Sequence, residues 1–324
     1  MAGRSNTTVW VAFWANMAIA ALKIAGAAAT GSAALFAEAA HSVSDTLNET
    51  FLLVSLRSTR RPPDADHPFG YGKEQFFWSL LAAVGILITG AGFSGVEAYR
   101  AFSGREHVGA HYFAISYAVL AGALVAEGTS WWRAVRQLRA EAHAARRTLM
   151  QHVRLSPDPS VKTVVGEDSA AVLGNVLAAG GIAVHQVAGG AWAEGIAALA
   201  IAVLLVVTAL LLANDVKSLL IGEAADEQVR NELFDFLSER EAVDAVLQVL
   251  TMRLGAHDLL LAARVDLDSG LRSDAVESVS AEIDHAITER WPEVRYVFLD
   301  ATRSAERARR PRHGGTDAGW DRFS

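Results

Sequence analysis

The stretch from Ala37 to Glu49, AEAAHSVSDTLNE, lies inside a long apolar segment, and the rest of the chain is organised around it. The segment is long enough for a membrane-spanning helix, so its polar residues would lie within the bilayer. His41 and Asp45 are four residues apart and share one face of such a helix. An imidazole nitrogen and carboxylate oxygens in this arrangement suit a metal ion such as zinc. Ionisable residues in a span mark functional sites by default, and the open alternative is a polar pair that hydrogen-bonds to a neighbouring helix.

The composition places the first two thirds of the chain in a bilayer. Hydrophobic residues make up 52% of the 324 residues and come in blocks. The chain has no cysteine, so any metal site must use His, Asp, Glu or backbone oxygen. From Asn214 onward there are 14 Lys or Arg and 22 Asp or Glu residues, which assigns the acidity to a soluble C-terminal domain. This charge balance argues against a nucleic-acid partner.

Six segments are apolar and long enough to cross a membrane. They run over residues 9–29, 33–56, 76–99, 113–132, 164–187 and 193–213. The N-terminal segment and the connections on one side contain twelve Lys or Arg residues, whereas the connections on the other side contain two. The positive-inside rule then predicts that both termini are cytoplasmic. We therefore expect a multi-pass protein of the cell membrane whose first span is retained and not cleaved as a signal peptide.

The residues after the last span predict a small two-layer domain. Helical spacing of apolar residues over 224–239 and 273–291 alternates with strand-like segments at 243–252, 259–267 and 294–299. The order α-β-β-α-β is typical of an α+β module. We predict three parts, namely an all-α six-helix transmembrane domain at 1–217, a cytoplasmic α+β dimerisation domain at 218–303 and a disordered tail at 304–324.

Three motifs in the chain resemble those of the cation diffusion facilitator family of divalent-metal transporters. These are GSAALFAEAAHSVSD in the second span, RPPDADHPFGYGKE in the next loop and EDSAAVLG at the start of the fifth span. The EDSAA form is similar to a subgroup that contains a mitochondrial zinc transporter. The resemblance implies a transporter and not an enzyme. Its partners would be protons and a divalent cation, which in relatives with this form of the second span is usually zinc.

The resemblance also implies which residues form a tetrahedral metal site in mid-membrane. The family builds this site from an H/D-x-x-x-D pair on the second span and another pair on the fifth. His41 and Asp45 match the first pair, and Asp168 matches the Asp of the second, where Val164 stands in place of His. We therefore expect His41, Asp45 and Asp168 to bind the metal, with Glu167 or a water as the fourth ligand. The alternative for Glu167 is a helix N-terminal charge that the macrodipole favours.

Two further metal sites of the family lack some of their usual ligand residues in this sequence. In the loop, Asp64 and His67 match a second site, but Tyr71 stands where a His is often found. We expect a weak site there, or simply a rigid turn. The ligand positions of the C-terminal domain hold residues such as Arg264 and Leu299. The resemblance thus implies a homodimer without interface metal and with no prosthetic group.

Two other functions stay open on these residues. An intramembrane metal hydrolase would need an HExxH motif or an equivalent, and the sequence contains none. A transport-inactive partner or regulator with the same fold and weak metal binding is favoured by Val164, by Tyr71 and by the depleted C-terminal domain. Metal flux separates this second alternative from a transporter.

Overall fold

The computed structural model describes residues 6–104, 112–155, 159–268 and 270–302. The chain divides into two compact units, Met1–Lys217 and Ser218–Ser324. The first unit is helical, and the second contains a three-stranded sheet with helices. This architecture confirms the predicted fold class. The predicted tail at 304–324 lies outside the described residues.

Helices account for nearly all of the described part of the first unit. They are α1 (Asn6–Thr30), α2 (Ala33–Ser58), α3 (Glu74–Gly85), α4 (Gly92–Phe102), α5 (Tyr112–Ala144), α6 (Leu149–Leu155), α7 (Pro159–Ala188) and α8 (Trp192–Ile221). A π-helical segment, Ile86–Ala91, joins α3 to α4, so residues 74–102 form one span. The basic residues after Trp132 continue α5 as helix to Ala144, beyond the predicted end of that span, because arginine is a good helix former. Pro159 opens α7, a position that suits its missing N–H.

Within the described residues, five helical segments are long and apolar enough to cross a membrane. They are Phe13–Thr30, Glu74–Phe102, Tyr112–Ala144, Val165–Ala188 and Trp192–Ile221. The remaining long helix, α2, has 26 residues and carries the acidic side chains of Glu38, Asp45 and Glu49. It packs against α1, α3, α4 and α7, which places these polar residues among apolar helices.

The N-terminus of α2 is fixed by a short, capped turn. Gly31 has a φ of 76°, a conformation open to glycine. Ser32 is the N-cap, and its hydroxyl accepts a hydrogen bond of 3.2 Å from the backbone N–H of Leu35. The same hydroxyl donates to Glu194 of α8 at 2.5 Å, and Glu194 is fully buried. A carboxylate at this position also stabilises the positive end of the helix dipole.

The second unit has the predicted order of elements. It comprises α9 (Glu227–Ser238), β1 (Val243–Arg253), β2 (Leu259–Leu267), α10 (Ser273–Arg290) and β3 (Val294–Ala301). The central strand β2 pairs antiparallel with β1 and parallel with β3, because α10 supplies the crossover that a parallel pair requires. Leu233 and Ile287 from the helices pack with Leu261 and Val265 of β2 in the buried core.

Candidate metal site

His41 and Asp45 lie one turn apart on α2, with His41 Nε2 and Asp45 Oδ1 separated by 3.4 Å. His41 is only 1% exposed. Two ligands of one tetrahedral zinc ion, at bond lengths of about 2.0–2.2 Å, are themselves about 3.4 Å apart. Asp45 Oδ1 is buried and has no hydrogen-bond partner among the described residues. The pair therefore has the donor atoms and the spacing of half a zinc site.

Glu167 of α7 faces the same helix. Its carboxyl group is buried, and the Asn48 side chain on α2 donates a hydrogen bond of 2.5 Å to Oε2. The other oxygen, Oε1, is buried without a hydrogen-bond partner in the described part of the chain. Glu167 also lies within electrostatic range of Asp45 and His41. The α7 helix thus brings a buried carboxylate within electrostatic range of the α2 pair.

Asp168, the next residue, contacts a different helix. It is half-buried, and Ser130 of α5 donates a hydrogen bond of 3.5 Å to its Oδ2. Consecutive residues of an α-helix point about 100° apart, so one orientation of α7 turns Glu167 toward α2 and Asp168 toward α5. Over residues 6–104, 112–155, 159–268 and 270–302, no three His, Asp or Glu side chains are close enough together to hold a metal ion. The predicted site with Asp168 as a ligand stays a prediction.

A buried ion network lies one turn before His41 on α2. The Lys23 ammonium of α1 is 2.8 Å from Glu38 Oε2 and 2.8 Å from Glu127 Oε1 of α5. Asn175 of α7 donates a hydrogen bond to the other oxygen of Glu127. Lys23 and Glu38 are fully buried, and Glu127 is 9% exposed. Charged groups at this depth are stable only when paired, and here four helices supply the partners.

The second oxygen of Glu38 faces His41. Glu38 Oε1 lies 3.9 Å from His41 Nδ1, and both atoms are buried without a hydrogen-bond partner within the described residues. Gly174 of α7 makes room for this oxygen, because a Cβ there would collide with Glu38 Oε1 and lie 3.6 Å from His41 Nδ1. The glycine thus allows α2 and α7 to approach closely at the level of His41.

The third span contacts α2 at the same level. Ser44 and Thr89 share a hydrogen bond of 2.7 Å, and Ser94 donates one of 3.3 Å to the carbonyl of Ala37. Thr89 belongs to the π-helical segment. Such segments are frequent near functional sites, because they change the direction of the side chains that follow.

The loop residues Asp64 and His67 form a hydrogen-bonded turn. Asp64 Oδ1 accepts from the backbone N–H of His67 at 2.8 Å, and Oδ2 accepts from the Tyr71 hydroxyl at 2.6 Å. His67 Nδ1 lies 3.6 Å from Asp64 Oδ1, and its ring contacts that of Tyr71 with centroids 4.3 Å apart. The hydrogen bond from Tyr71 and that from His67 hold the pKa of Asp64 below its ordinary value. Both carboxylate oxygens are used by the turn, which supports the rigid-turn alternative for this loop.

Glu38 and Glu127 were not assigned a role from the sequence. The sequence does contain features that point to both glutamates. Glu38 is three residues before His41 and so shares its helical face, and Glu127 is an isolated carboxylate in the apolar run of the fourth span. The rule that ionisable residues inside spans are functional until shown otherwise points to both.

A buried imidazole–carboxylate pair beside an ion network, within a bundle of membrane-spanning helices, is typical of an ion transporter. The family model described as the cation efflux transmembrane domain matches residues 9–221. The chain therefore belongs to the cation diffusion facilitator family of divalent-metal transporters, as its motifs predicted.

Similar proteins from other organisms agree with this assignment. The mitochondrial proton-coupled zinc antiporter SLC30A9 of Mus musculus is 34% identical over 241 residues, which cover 74% of this chain and 42% of the relative. Metal tolerance protein C4 of Arabidopsis thaliana is 30% identical over 267 residues, or 82% of this chain and 57% of the relative. Mitochondrial metal transporter 1 of Saccharomyces cerevisiae is 39% identical over 85 residues, which cover 26% of this chain and 16% of the relative. The chain spans about half the length of the first two relatives.

Proposed function

We propose that this protein exports a divalent metal cation, zinc in particular, in exchange for protons. The observation that carries the proposal is the His41–Asp45 pair, which is held on a helix inside the bundle at the separation of two zinc ligands. A relative named as a proton-coupled zinc antiporter supports both the substrate and the coupling ion. The function is transport and not an enzymatic reaction.

His41 and Asp45 supply two ligands, and α7 supplies the rest. Of its two acidic residues, Glu167 is the better placed in this structure, because its Oε1 is buried and free of hydrogen bonds to described residues, and because Asn48 holds it against α2. Asp168 joins the site when α7 turns, and a water completes the coordination when one carboxylate is absent. Imidazole and carboxylate ligands together suit zinc.

Charge explains why metal and protons exchange at one site. An imidazole and two or three carboxylates bind a dication in their deprotonated forms. When the metal leaves, His41 and a carboxylate take up protons, so the empty site stays close to neutral in a medium of low dielectric. Alternating access of the helices around a site in mid-membrane would then expose it to each side in turn.

The charge distribution supports an orientation with both termini in the cytoplasm, and we place the protein in the cell membrane. Twelve of the fourteen Lys and Arg residues counted in the N-terminal segment and loops lie on one side. Release of metal on the opposite side is efflux. Because two relatives are named as mitochondrial, an internal membrane is the alternative location, and cell fractionation would distinguish the two.

The C-terminal unit supports a homodimer. On one face of its sheet, Leu250, Ala262 and Phe298 form a cross-strand row, and Leu250 and Phe298 are 46% and 52% exposed. An apolar row of this kind on a small domain is typical of an interface. Arg264 pairs with Asp300 at 2.7 Å, so this position holds an ion pair and not a metal ligand.

Zinc flux into proteoliposomes with an imposed pH gradient tests the proposal. Wild type should accumulate zinc in the vesicles, faster when the gradient drives protons in the opposite direction. Asp45→Ala should reduce the flux to the level of empty vesicles. The matched control is Glu97→Gln, which removes another intramembrane carboxylate, paired with Arg100 at 2.7 Å on α4. Wild-type protein that binds zinc but carries no flux would instead be a partner or regulator with this fold.

A further inference from the structure

We propose that Glu194 holds the helical bundle closed at the end from which the metal is released. Four helices meet at its carboxylate, and in a cycle of alternating access these contacts break when the site opens to that side. Glu194 is a gating residue in this account and not a metal ligand. The inference rests on the proposed function, because it assigns a step of the same transport cycle.

The Glu194 carboxylate of α8 contacts three other helices. The Ser32 hydroxyl at the start of α2 donates a hydrogen bond of 2.5 Å to Oε2, and the Tyr112 hydroxyl of α5 donates one to Oε1. The His185 imidazole of α7 contacts the same Oε1. We call these four residues the Glu194 cluster. Glu194, Ser32 and Tyr112 are buried, and the His185 side chain is 12% exposed.

Burial gives these contacts their strength. A carboxylate is costly to bury unless polar groups surround it, and hydrogen bonds to a charged acceptor are stronger than those between neutral groups. Separation of the four helices would leave Glu194 without the partners that stabilise it. The cluster therefore favours the conformation in which this end of the bundle is closed.

The Glu194 cluster lies at one end of the bundle, where α1 ends and α2 begins. Ser32 caps α2 and Tyr112 is the first residue of α5, whereas His185 is in the last turn of α7 and Glu194 in the first turn of α8. The chain has crossed the bundle once, along α1, before it reaches Ser32. In the orientation proposed above, this end faces away from the cytoplasm, and the metal is released there.

Burial along α2 differs on the two sides of the metal-binding pair. Most of residues 32–44, which run from the Glu194 cluster past His41, are buried, whereas none of residues 45–54 is. Asp45 begins the second range, and 15% of its side chain is exposed. The pair is therefore enclosed on the side of the cluster and more open on the other.

The α7 helix is also buried between the pair and the Glu194 cluster. Gly174 adjoins His41, because a Cβ there would lie 3.6 Å from Nδ1. Ala178 and Ile182 follow at intervals of one turn, which places them on the same face as Gly174, and neither has any exposed surface. A metal ion at His41 reaches the release side only when these helices move apart.

The chain contains no cysteine, so single cysteines can report on this closure. Ala178→Cys places a thiol between His41 and the Glu194 cluster, and a buried thiol is inert. Val187→Cys, at a position of α7 that is 89% exposed, gives the rate for an open site. Val216→Cys, fully buried in α8 and about six turns from Glu194, reports on general loosening. Each reporter is labelled with a maleimide in full-length, detergent-solubilised protein.

Tyr112→Phe removes one hydrogen bond to Glu194 and keeps the ring. With the Ala178→Cys reporter it should raise the labelling rate by about 10-fold or more, as expected when a hydrogen bond to a charged group is lost. Tyr117→Phe is the matched control. The Tyr117 hydroxyl of the same helix also bonds to α7, but its partner is Gln186 at 3.2 Å. This control should leave the labelling rate unchanged.

Glu194→Gln is a second variant, since an amide has one acceptor oxygen where a carboxylate has two. It should also accelerate labelling at Ala178→Cys. Val216→Cys should stay protected in both variants, because only the release end opens. Equal acceleration at Ala178→Cys and Val216→Cys would show general loosening of the bundle and would overturn the inference.

The outcomes separate this inference from the proposed function. In the wild-type background, labelling of Ala178→Cys as fast as that of Val187→Cys overturns the inference, even when Tyr112→Phe and Glu194→Gln fail to fold. Unchanged protection of Ala178→Cys in both folded variants overturns it as well. Labelling requires neither metal nor flux. A wild-type protein without zinc flux defeats the proposed function, while the labelling rates still decide whether Glu194 closes this end of the bundle.

Discussion

Asn48 of α2 donates a hydrogen bond of 2.5 Å to the Glu167 carboxylate of α7. This contact links the helix that carries His41 and Asp45 to the helix that carries the acidic residues at the opening of the fifth span. Glu167 Oε1 is buried and has no hydrogen bond to any residue in the described ranges. We therefore expect α7 to contribute to a metal site in this conformation through Glu167 first.

The two acidic residues of α7 should differ in their effect on metal binding. Glu167→Gln should lower the zinc affinity of the purified protein by about 10-fold or more, because it removes a buried negative charge that interacts electrostatically with the α2 pair. Asp168→Asn should lower it less, since Asp168 contacts Ser130 of α5. Calorimetric titration with zinc gives both values. A larger loss of affinity in Asp168→Asn than in Glu167→Gln would show that α7 is rotated differently about its axis when metal binds.

Asn48→Ala should destabilise the protein by about 1–3 kcal/mol, because it leaves the buried Glu167 carboxylate without its donor. Thermal unfolding in detergent measures the change. Thr50→Ala on the same helix is the control, because the Thr50 hydroxyl bonds only to the carbonyl of Thr46 at 2.9 Å among the contacts described. Equal unfolding temperatures for the two variants would contradict the role given to Asn48.

Gly174→Ala should weaken zinc binding, because the new methyl group would collide with Glu38 Oε1 and approach His41 Nδ1. The neighbouring groups are packed from several helices and have little room to move. Gly180→Ala on the same helix is a matched control, since a Cβ at that position meets nothing within 4 Å. We expect a clear loss of affinity for the first variant and none for the second. If Gly174→Ala and Gly180→Ala both bind zinc with wild-type affinity, that result would contradict the close approach of α2 and α7.

The loop after α2 should respond to acid through Asp64. Its carboxylate is bonded by the Tyr71 hydroxyl and the His67 backbone, and its pKa is lowered. These bonds stabilise the turn above the unfolded-state pKa of about 3.9 and are lost as the pH falls through the lower folded-state value. Tyr71→Phe should raise the pKa of Asp64 and loosen the turn at a higher pH. A carboxyl titration by NMR measures this, and an unchanged Asp64 titration would refute it.

The sequence predicts which helices and strands form better than it predicts how each helix is rotated about its own axis. The blocks of apolar residues predict the spans, and alternating periodicities predict the order of helices and strands in the C-terminal unit. His41 and Asp45 are four residues apart, so helical geometry alone places them on one face. The family motif adds the residues of α7, but not which of them faces α2, because the rotation of a helix depends on its packing partners.

The ion network shows the same limit. Lys23 and Glu127 are 104 residues apart in sequence, and no local pattern relates them. Each is visible singly as a charged residue in an apolar run, and burial in low dielectric requires that each find a partner. Which partner it finds is decided by the packing of α1 against α5 and α2, and that packing is known only from the structure.

We propose that a metal ion binds within the helical bundle at His41 and Asp45. Anomalous scattering at the zinc absorption edge, measured on crystals grown with zinc, would locate this ion. We predict a peak about 2 Å from His41 Nε2 and from an Asp45 carboxylate oxygen, lost in Asp45→Ala. Zinc density confined to the Asp64–His67 loop or to the C-terminal unit, with none at the α2 pair, would contradict the account.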